Sequence, residues 1–264
     1  AQDMRVLVTG ANGQLGMALK EESRAHSEHE YLFTDLEELD ITVPEAIENA
    51  VVLFRPDIFV NCASYNAVDK AEDDPDPAMM INGEAAGYIA GIASRHGISL
   101  IHLSTDYVFD GKKGSAYHED DLPNPLSKYA YSKLLGEQAV RSANCNAAII
   151  RTSWLYSEYG SNFVKTIRNL AVERDEIKVV KDQEGSPTYA GDLAAAIFAS
   201  MPQIRNLNGI NTYHYSNEGV TSWAGFAEAV VELSGLECRI IPVSTSEYGL
   251  SKAARPAFSL LDKS

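Results

Sequence analysis

Tyr129 and Lys133 stand four positions apart, and of this 264-residue chain they are the pair best suited to move a proton. An α-helix turns once in about 3.6 residues, so this spacing puts both side chains on one helix face. A phenol has an ordinary pKa near 10 and exchanges its proton poorly at neutral pH. An ammonium beside it favours the phenolate and is expected to lower that value. Such a pair can pass a proton to or from a carbonyl or alcohol oxygen. Tyr131 has Leu135 four residues on and Tyr107 has Gly111, so neither has a lysine partner there. Upstream, Thr105 in Leu103-Ser104-Thr105-Asp106-Tyr107 offers a hydroxyl. It can donate to a developing oxyanion or cap a turn.

The other half of such a reaction is written at the N-terminus. Arg5 to Val8 is a short apolar run that reads as a buried strand. Gly10, Gly13 and Gly16 follow at Gly-x-x-Gly-x-x-Gly spacing, and Met17 to Lys20 suit a helix. Glycine permits close backbone approach, and a helix N-terminus offers free N–H groups to a pyrophosphate. The expected dinucleotide contacts in this loop are Gly10, Asn12, Gly13, Gln14 and Leu15; the plainer reading is an ordinary strand-to-helix turn. Asp35 closes the second apolar run, nineteen residues past Gly16 (35 − 16). A carboxylate at this distance accepts bonds from the adenosine ribose hydroxyls and leans toward NAD(H), though neighbouring groups can admit NADP(H). Its plainer role is a turn-capping Asp.

The formal net charge of −15 argues against nucleic-acid binding, which relies on clustered Lys and Arg. Cys62, Cys145 and Cys238 are widely spaced and read as buried apolar residues, neither a disulfide frame nor a metal site. No run approaches the length of a membrane span and no leader precedes the first strand, so the expectation is a cytoplasmic protein without a membrane partner.

These residues need a scaffold, and strand and helix signals alternate along the chain. Strands are expected at Ile58–Asn61, Leu100–Ser104, Ala147–Thr152 and Ile177–Val180. Helices are expected from a Thr42-Val43-Pro44-Glu45 capping box to Phe54, at Ala78–His96, Lys128–Ser142 and Tyr189–Met201. The alternation predicts an α/β fold, a Rossmann-like doubly wound parallel sheet. A dinucleotide-binding domain over 1–185 is expected, able to take back 186–201 as its last helix. After Gly185, short strands at Thr212–Tyr215 and Arg239–Pro242 and a helix at Thr221–Ser234 predict a smaller mixed substrate-binding region over 186–264. Ligands of such sheets bind outside the carboxyl ends of the strands. Ala63, Ser64 and Tyr65, then Ser104, Thr105 and Asp106, then Trp154, all fall there; Trp154 reads equally as core.

Assembled, these segments resemble the extended short-chain dehydrogenase/reductases, and within them the dTDP-4-dehydrorhamnose reductase family. The resemblance spans nearly the whole chain. It is carried by the glycine loop, Ala67-Val68-Asp69-Lys70-Ala71-Glu72, Ser104-Thr105-Asp106-Tyr107-Val108-Phe109, Tyr129 with Lys133, Arg151-Thr152-Ser153-Trp154, Asp182-Gln183-Glu184-Gly185-Ser186-Pro187-Thr188, and Ala254-Arg255-Pro256. Family members continue some tens of residues past the Arg-Pro segment, whereas this sequence ends at Ser264. The resemblance implies NADPH or NADH as cofactor and a dTDP-linked 4-keto-6-deoxy sugar as substrate. It implies a catalytic trio of Thr105, Tyr129 and Lys133, with Tyr129, Lys133 and Ser104 also on the cofactor. Ala63, Ser64 and Tyr65 become nicotinamide-side contacts, and Asp40 and Ile41 adenine-side contacts. Thr105, Asp106, Tyr107, Trp154 and Arg255 become substrate contacts, Arg255 on the pyrophosphate. A homodimer is implied by analogy, and no metal is expected. A nucleotide-sugar 4-epimerase or 4,6-dehydratase is the alternative on the same scaffold. A non-catalytic regulatory subunit of a methionine adenosyltransferase is the other.

Overall fold

The structure, a computed structural model, describes residues 2–264. Its strands β1 (Arg5–Thr9), β2 (Glu30–Phe33), β3 (Ile58–Asn61), β4 (Ser99–Thr105) and β5 (Asn146–Thr152) lie in one parallel sheet. A strand covered on both faces needs apolar side chains at nearly every position. In β1, Val6 and Val8 face one layer while Leu7 faces the other; in β3, Ile58 and Val60 divide from Phe59 in the same way. The first layer contains α1 (Gln14–Glu22), whose Leu15 and Leu19 meet Val6 and Val8. The second contains α2 (Pro44–Phe54) and α3 (Ala85–His96), with Ile47, Val51 and Ile89 against Leu7 and Phe59.

The helix α4 (Lys128–Ser142) carries Tyr129 and Lys133 on the expected face, both buried. Ser127 caps it, its Oγ accepting the Ala130 N–H at 3.1 Å. The wide-turn segment Met79–Glu84 that leads into α3 presses against it. A Cβ on Gly136 would lie 2.1 Å from the Asn82 carbonyl oxygen, so only glycine permits this approach.

Three expectations are corrected. Thr42 does not open α2 with a capping box; Val43 is the N-cap residue, and the Thr42 hydroxyl donates to Asp40 Oδ1 at 2.7 Å. The strand at Ile177–Val180 does not complete the large sheet. After α5 (Phe163–Glu173) it forms β6 (Glu176–Val180), and its chain-distant partner is β8 (Arg239–Val243) in a separate parallel pair. The large sheet is completed by β7 (Ile210–His214), which pairs with β5. Its order is β7-β5-β4-β3-β1-β2. Between them, α6 (Ala190–Arg205) joins the α1 layer, and α7 (Trp223–Leu233) packs with α5 and β6. A single cut at residue 185 therefore does not separate the two regions. The chain leaves the sheet after β5, returns for α6 and β7, and leaves again.

Candidate active site

Strand order reverses between β1 and β3, and the loops leaving these strands open a cleft there. Gly10 sits at φ +65°, and a Cβ on it would lie 2.5 Å from the Ala63 backbone nitrogen. A Cβ on Gly16 would lie 2.3 Å from the Gly10 carbonyl oxygen. These two glycines are thus fixed by the protein's own backbone. Gly13 is the residue before α1, whose first turn has no side-chain cap and no acidic residue, leaving its N–H groups open to an anion.

Two adjoining cavities share Gly10, Gly13, Cys62, Ser64 and Asn66. The smaller, of about 470 Å³, brings together Asn12, Asp35, Asp40, Ile41 and Ala63. The larger, of about 620 Å³, brings together Gln14, Leu15, Ser104, Thr105, Asp106, Tyr107, Tyr129, Lys133 and Trp154. Tyr65 and Arg255 line neither. The backbone N–H and C=O of Tyr65 are both bound by the Asn82 side chain, at 2.9 and 3.0 Å. Arg255 makes a two-pronged ion pair with Asp69, at 3.2 and 3.1 Å, so a carboxylate of the Val-Asp-Lys-Ala-Glu run holds the group expected on a pyrophosphate. Ser104 lines the cavity, but its hydroxyl donates to Glu137 at 2.5 Å.

The electrostatics of the pair differ from the sequence expectation. The Lys133 ammonium donates to the Leu103 carbonyl at 2.8 Å. Burial pulls its pKa down to about 8, against the opposing charge of Glu137. Burial pushes the Tyr129 phenol up, and the negative charges of Tyr107 and Asp106 add to the rise; the Thr105 and Ser64 hydroxyls oppose it. Desolvation therefore outweighs the expected lowering by lysine. The Tyr129 hydroxyl donates only weakly, to Asn66 Oδ1 at 3.5 Å. Thr105 takes the capping role expected of it and also faces the cavity. As a cap it accepts the Tyr107 N–H at 3.1 Å while donating to Asp106 Oδ1 at 3.2 Å. Asp106 is buried and accepts the Ser259 hydroxyl at 2.5 Å; burial raises its carboxyl to about 7.

Phe163 and Trp223, which sequence reasoning missed, complete the larger cavity beside Trp154 and Gln14. Trp154, at φ +49°, stacks on Trp223 with ring centroids 3.7 Å apart. Phe163 also packs on Trp223, with ring centroids 4.7 Å apart. Gln14 Oε1 accepts Ser157 at 2.8 Å and Asn162 at 3.1 Å, tying the glycine loop to the segment after β5. That segment follows a sheet strand at its carboxyl end, which was a signal for it; nothing in the sequence announced Trp223. Beneath the site, Glu137 lies one turn beyond Lys133 and is buried with Arg151 in a bidentate pair of 2.7 and 3.0 Å. It braces α4 against β5.

Among the described residues, His26, Glu28 and His29 bring ligand-type atoms within 4.8 Å of one another. His29 Nδ1 accepts the Met4 N–H at 3.1 Å, which leaves the proton on Nε2, facing Glu28 at 3.5 Å. That nitrogen is then a donor and not a metal ligand.

Known proteins resemble this chain over nearly its whole length. The family model described as RmlD substrate binding domain matches residues 4–264. A dTDP-4-dehydrorhamnose reductase of Sinorhizobium fredii is 42% identical over 267 residues, which span 98% of this chain and 88% of that protein. The spore coat polysaccharide biosynthesis protein SpsK of Bacillus subtilis is 43% identical over 260 residues, 97% of this chain and 88% of its own. Among solved structures, a dTDP-4-dehydrorhamnose reductase from Bacillus anthracis in complex with NADP superimposes with a TM-score of 0.93 at 41% identity, covering 100% of this chain and 92% of that one. The chain belongs to the RmlD substrate binding domain family, that of the dTDP-4-dehydrorhamnose reductases.

Proposed function

We infer that this chain reduces the 4-keto group of a dTDP-linked 4-dehydro-6-deoxyhexose, giving dTDP-L-rhamnose from dTDP-4-dehydrorhamnose. The observation that carries the reading is the meeting of Thr105, Tyr129 and Lys133 with the glycine loop in one cavity. NADPH or NADH fits the loop: Gly10 and Gly16 are closed by backbone, and the N-terminus of α1 is uncapped. When bound, the dinucleotide supplies a hydride to the carbonyl carbon. Gly13, Gln14 and Leu15 suit its pyrophosphate, and Lys133 its nicotinamide ribose.

The side chains supply the rest. Tyr129 gives its phenolic proton to the carbonyl oxygen as that oxygen becomes an alkoxide. The burial that raises this phenol keeps it protonated, which is the form a reduction consumes. Thr105 turns its hydroxyl proton from Asp106 toward the same oxygen and stabilises the developing charge. The Trp154–Trp223 stack and Phe163 suit the flat nucleotide base, and Asp106 and Tyr107 the sugar hydroxyls. A cytoplasmic homodimer goes with this reading, and fractionation and sedimentation test it. Among the described residues no helix is long and apolar enough to cross a membrane. The direct test of activity is loss of reduced-nicotinamide absorbance on adding dTDP-4-dehydrorhamnose. No loss with either cofactor sinks the reductase reading.

A further inference from the structure

We propose that Asp69 and Arg255 are positioning residues for Tyr129, acting through the hydroxyl of Tyr107 and not on the substrate pyrophosphate. The proposal rests on the reading of Tyr129 as the proton donor. The run Val68-Asp69-Lys70-Ala71-Glu72 ties the segment Lys252–Arg255 and the start of α4 together beside that phenol. Val68 lines the larger cavity and, with Tyr107, packs against Tyr129. Asp69 Oδ1 accepts the Lys252 and Ala253 N–H groups at 3.1 and 2.9 Å, and the two carboxylate oxygens take the Arg255 guanidinium at 3.2 and 3.1 Å. The Lys252 ammonium pairs with Asp73 on the same turn. Glu72 Oε2 accepts the Lys128 N–H at 3.3 Å, where α4 begins.

Arg255 is committed to this arrangement. Its Nη1 also donates to the Ala253 carbonyl at 3.0 Å, and its side chain is only 19% exposed. A guanidinium held by a bidentate carboxylate must break that pair to reach a pyrophosphate, at the cost of leaving the carboxylate unpaired. Its other neighbour is the Tyr107 hydroxyl. Burial and then the Asp106 charge push that phenol up, and the charge and hydrogen bond of Arg255 oppose the rise. Tyr107 is thus held at both ends, its N–H by Thr105 Oγ1 at 3.1 Å and its hydroxyl by Arg255. Between these ends its ring stands edge-on to Tyr129, with centroids 6.3 Å apart and planes at 87°. The Tyr129 hydroxyl donates only weakly, so the rings around it help to set its place. Releasing Tyr107 therefore loosens the wall against which the acid rests.

Steady-state kinetics with saturating cofactor and varied dTDP-4-dehydrorhamnose test this. Asp69→Asn and Arg255→Ala should each lower kcat by about ten- to a hundredfold, the scale of a small misplacement of a reacting group, with KM near wild type. Arg255→Lys, which keeps the charge, should recover part of the loss. Tyr107→Phe keeps the ring and removes the hydroxyl. In that background the Arg255 substitutions should cost little further kcat, because the route through the hydroxyl is already cut. A raised KM with unchanged kcat, persisting in the Tyr107→Phe background, puts Arg255 on the substrate and overturns the proposal. Wild-type kcat and KM in Asp69→Asn overturn it too. If Arg255→Ala does not fold, Asp69→Asn and Arg255→Lys decide by the same split. A wild-type protein that does not turn over this substrate overturns the reductase reading itself, a result distinct from any difference among the variants.

Discussion

The two sides of the cleft are built by opposite means. The cofactor side is mostly backbone: a strand, a glycine loop and a helix start within one short stretch, fixed by approaches that no Cβ allows. The side proposed for the sugar nucleotide is mostly side chain. It gathers Asp106 after β4, Trp154 after β5, Phe163 at the start of α5 and Trp223 at the start of α7. Backbone recognition tolerates little change and suits a ligand of fixed shape. Side-chain recognition on separate short elements can be retuned one residue at a time.

Substitutions on each side test that contrast, and the largest effect belongs at the seam. Tyr129→Phe should lower turnover by about a hundred- to ten-thousand-fold while cofactor affinity stays near wild type. Wild-type turnover in that variant removes Tyr129 as the acid. Next is Gly16→Ala, which drives a methyl group into the Gly10 carbonyl. Its expected cost is on the order of 2–4 kcal/mol of stability, with cofactor affinity falling in parallel. Chemical denaturation and titration read both; a variant as stable as wild type with unchanged affinity breaks the backbone half of the comparison. Trp223→Ala should raise KM for the nucleotide sugar about tenfold, in keeping with loss of roughly 1.4 kcal/mol of aromatic contact, and leave cofactor affinity alone. An equal loss for both ligands would show that the two sides are not separately built.

The remaining test is a pH dependence of stability. The folded Asp106 carboxyl titrates near 7, above its ordinary value of 3.8. The folded state therefore holds this proton when the unfolded state has lost it, and stability from this group falls as pH rises from about 4 to 7. Asp106→Asn removes that dependence. The Tm difference between variant and wild type should grow in the variant's favour across this window; a constant difference refutes the shift.

What could be read from sequence follows the same division. The glycine loop, Asp35 and the Tyr129/Lys133 spacing are local patterns whose meaning depends on a few neighbouring residues, and all of them fall around the cleft. Which short strand closes the sheet was misread because pairing is set at long range. The β6 run alternates exposed and buried residues and looks like a sheet member, yet its partner β8 begins 63 residues later (239 − 176). Arg255 was marked by resemblance, but the partner that holds it, Asp69, lies 186 positions away. The direction of the Tyr129 shift was misread because spacing reveals a neighbour and not the loss of water around it. The failed capping box at Thr42 has a local cause: Asp40, two residues back, claims the same hydroxyl.

The chain contains only two tryptophans, and they are stacked on each other in the lining of the larger cavity. Its tryptophan emission therefore comes from one place. Two indoles in face-to-face contact couple optically, so a base sliding against them or a shift of α7 changes the signal at once. On the proposed reading, emission from this pair reports nucleotide-sugar binding in stopped flow without a label, set apart from the glycine loop by position.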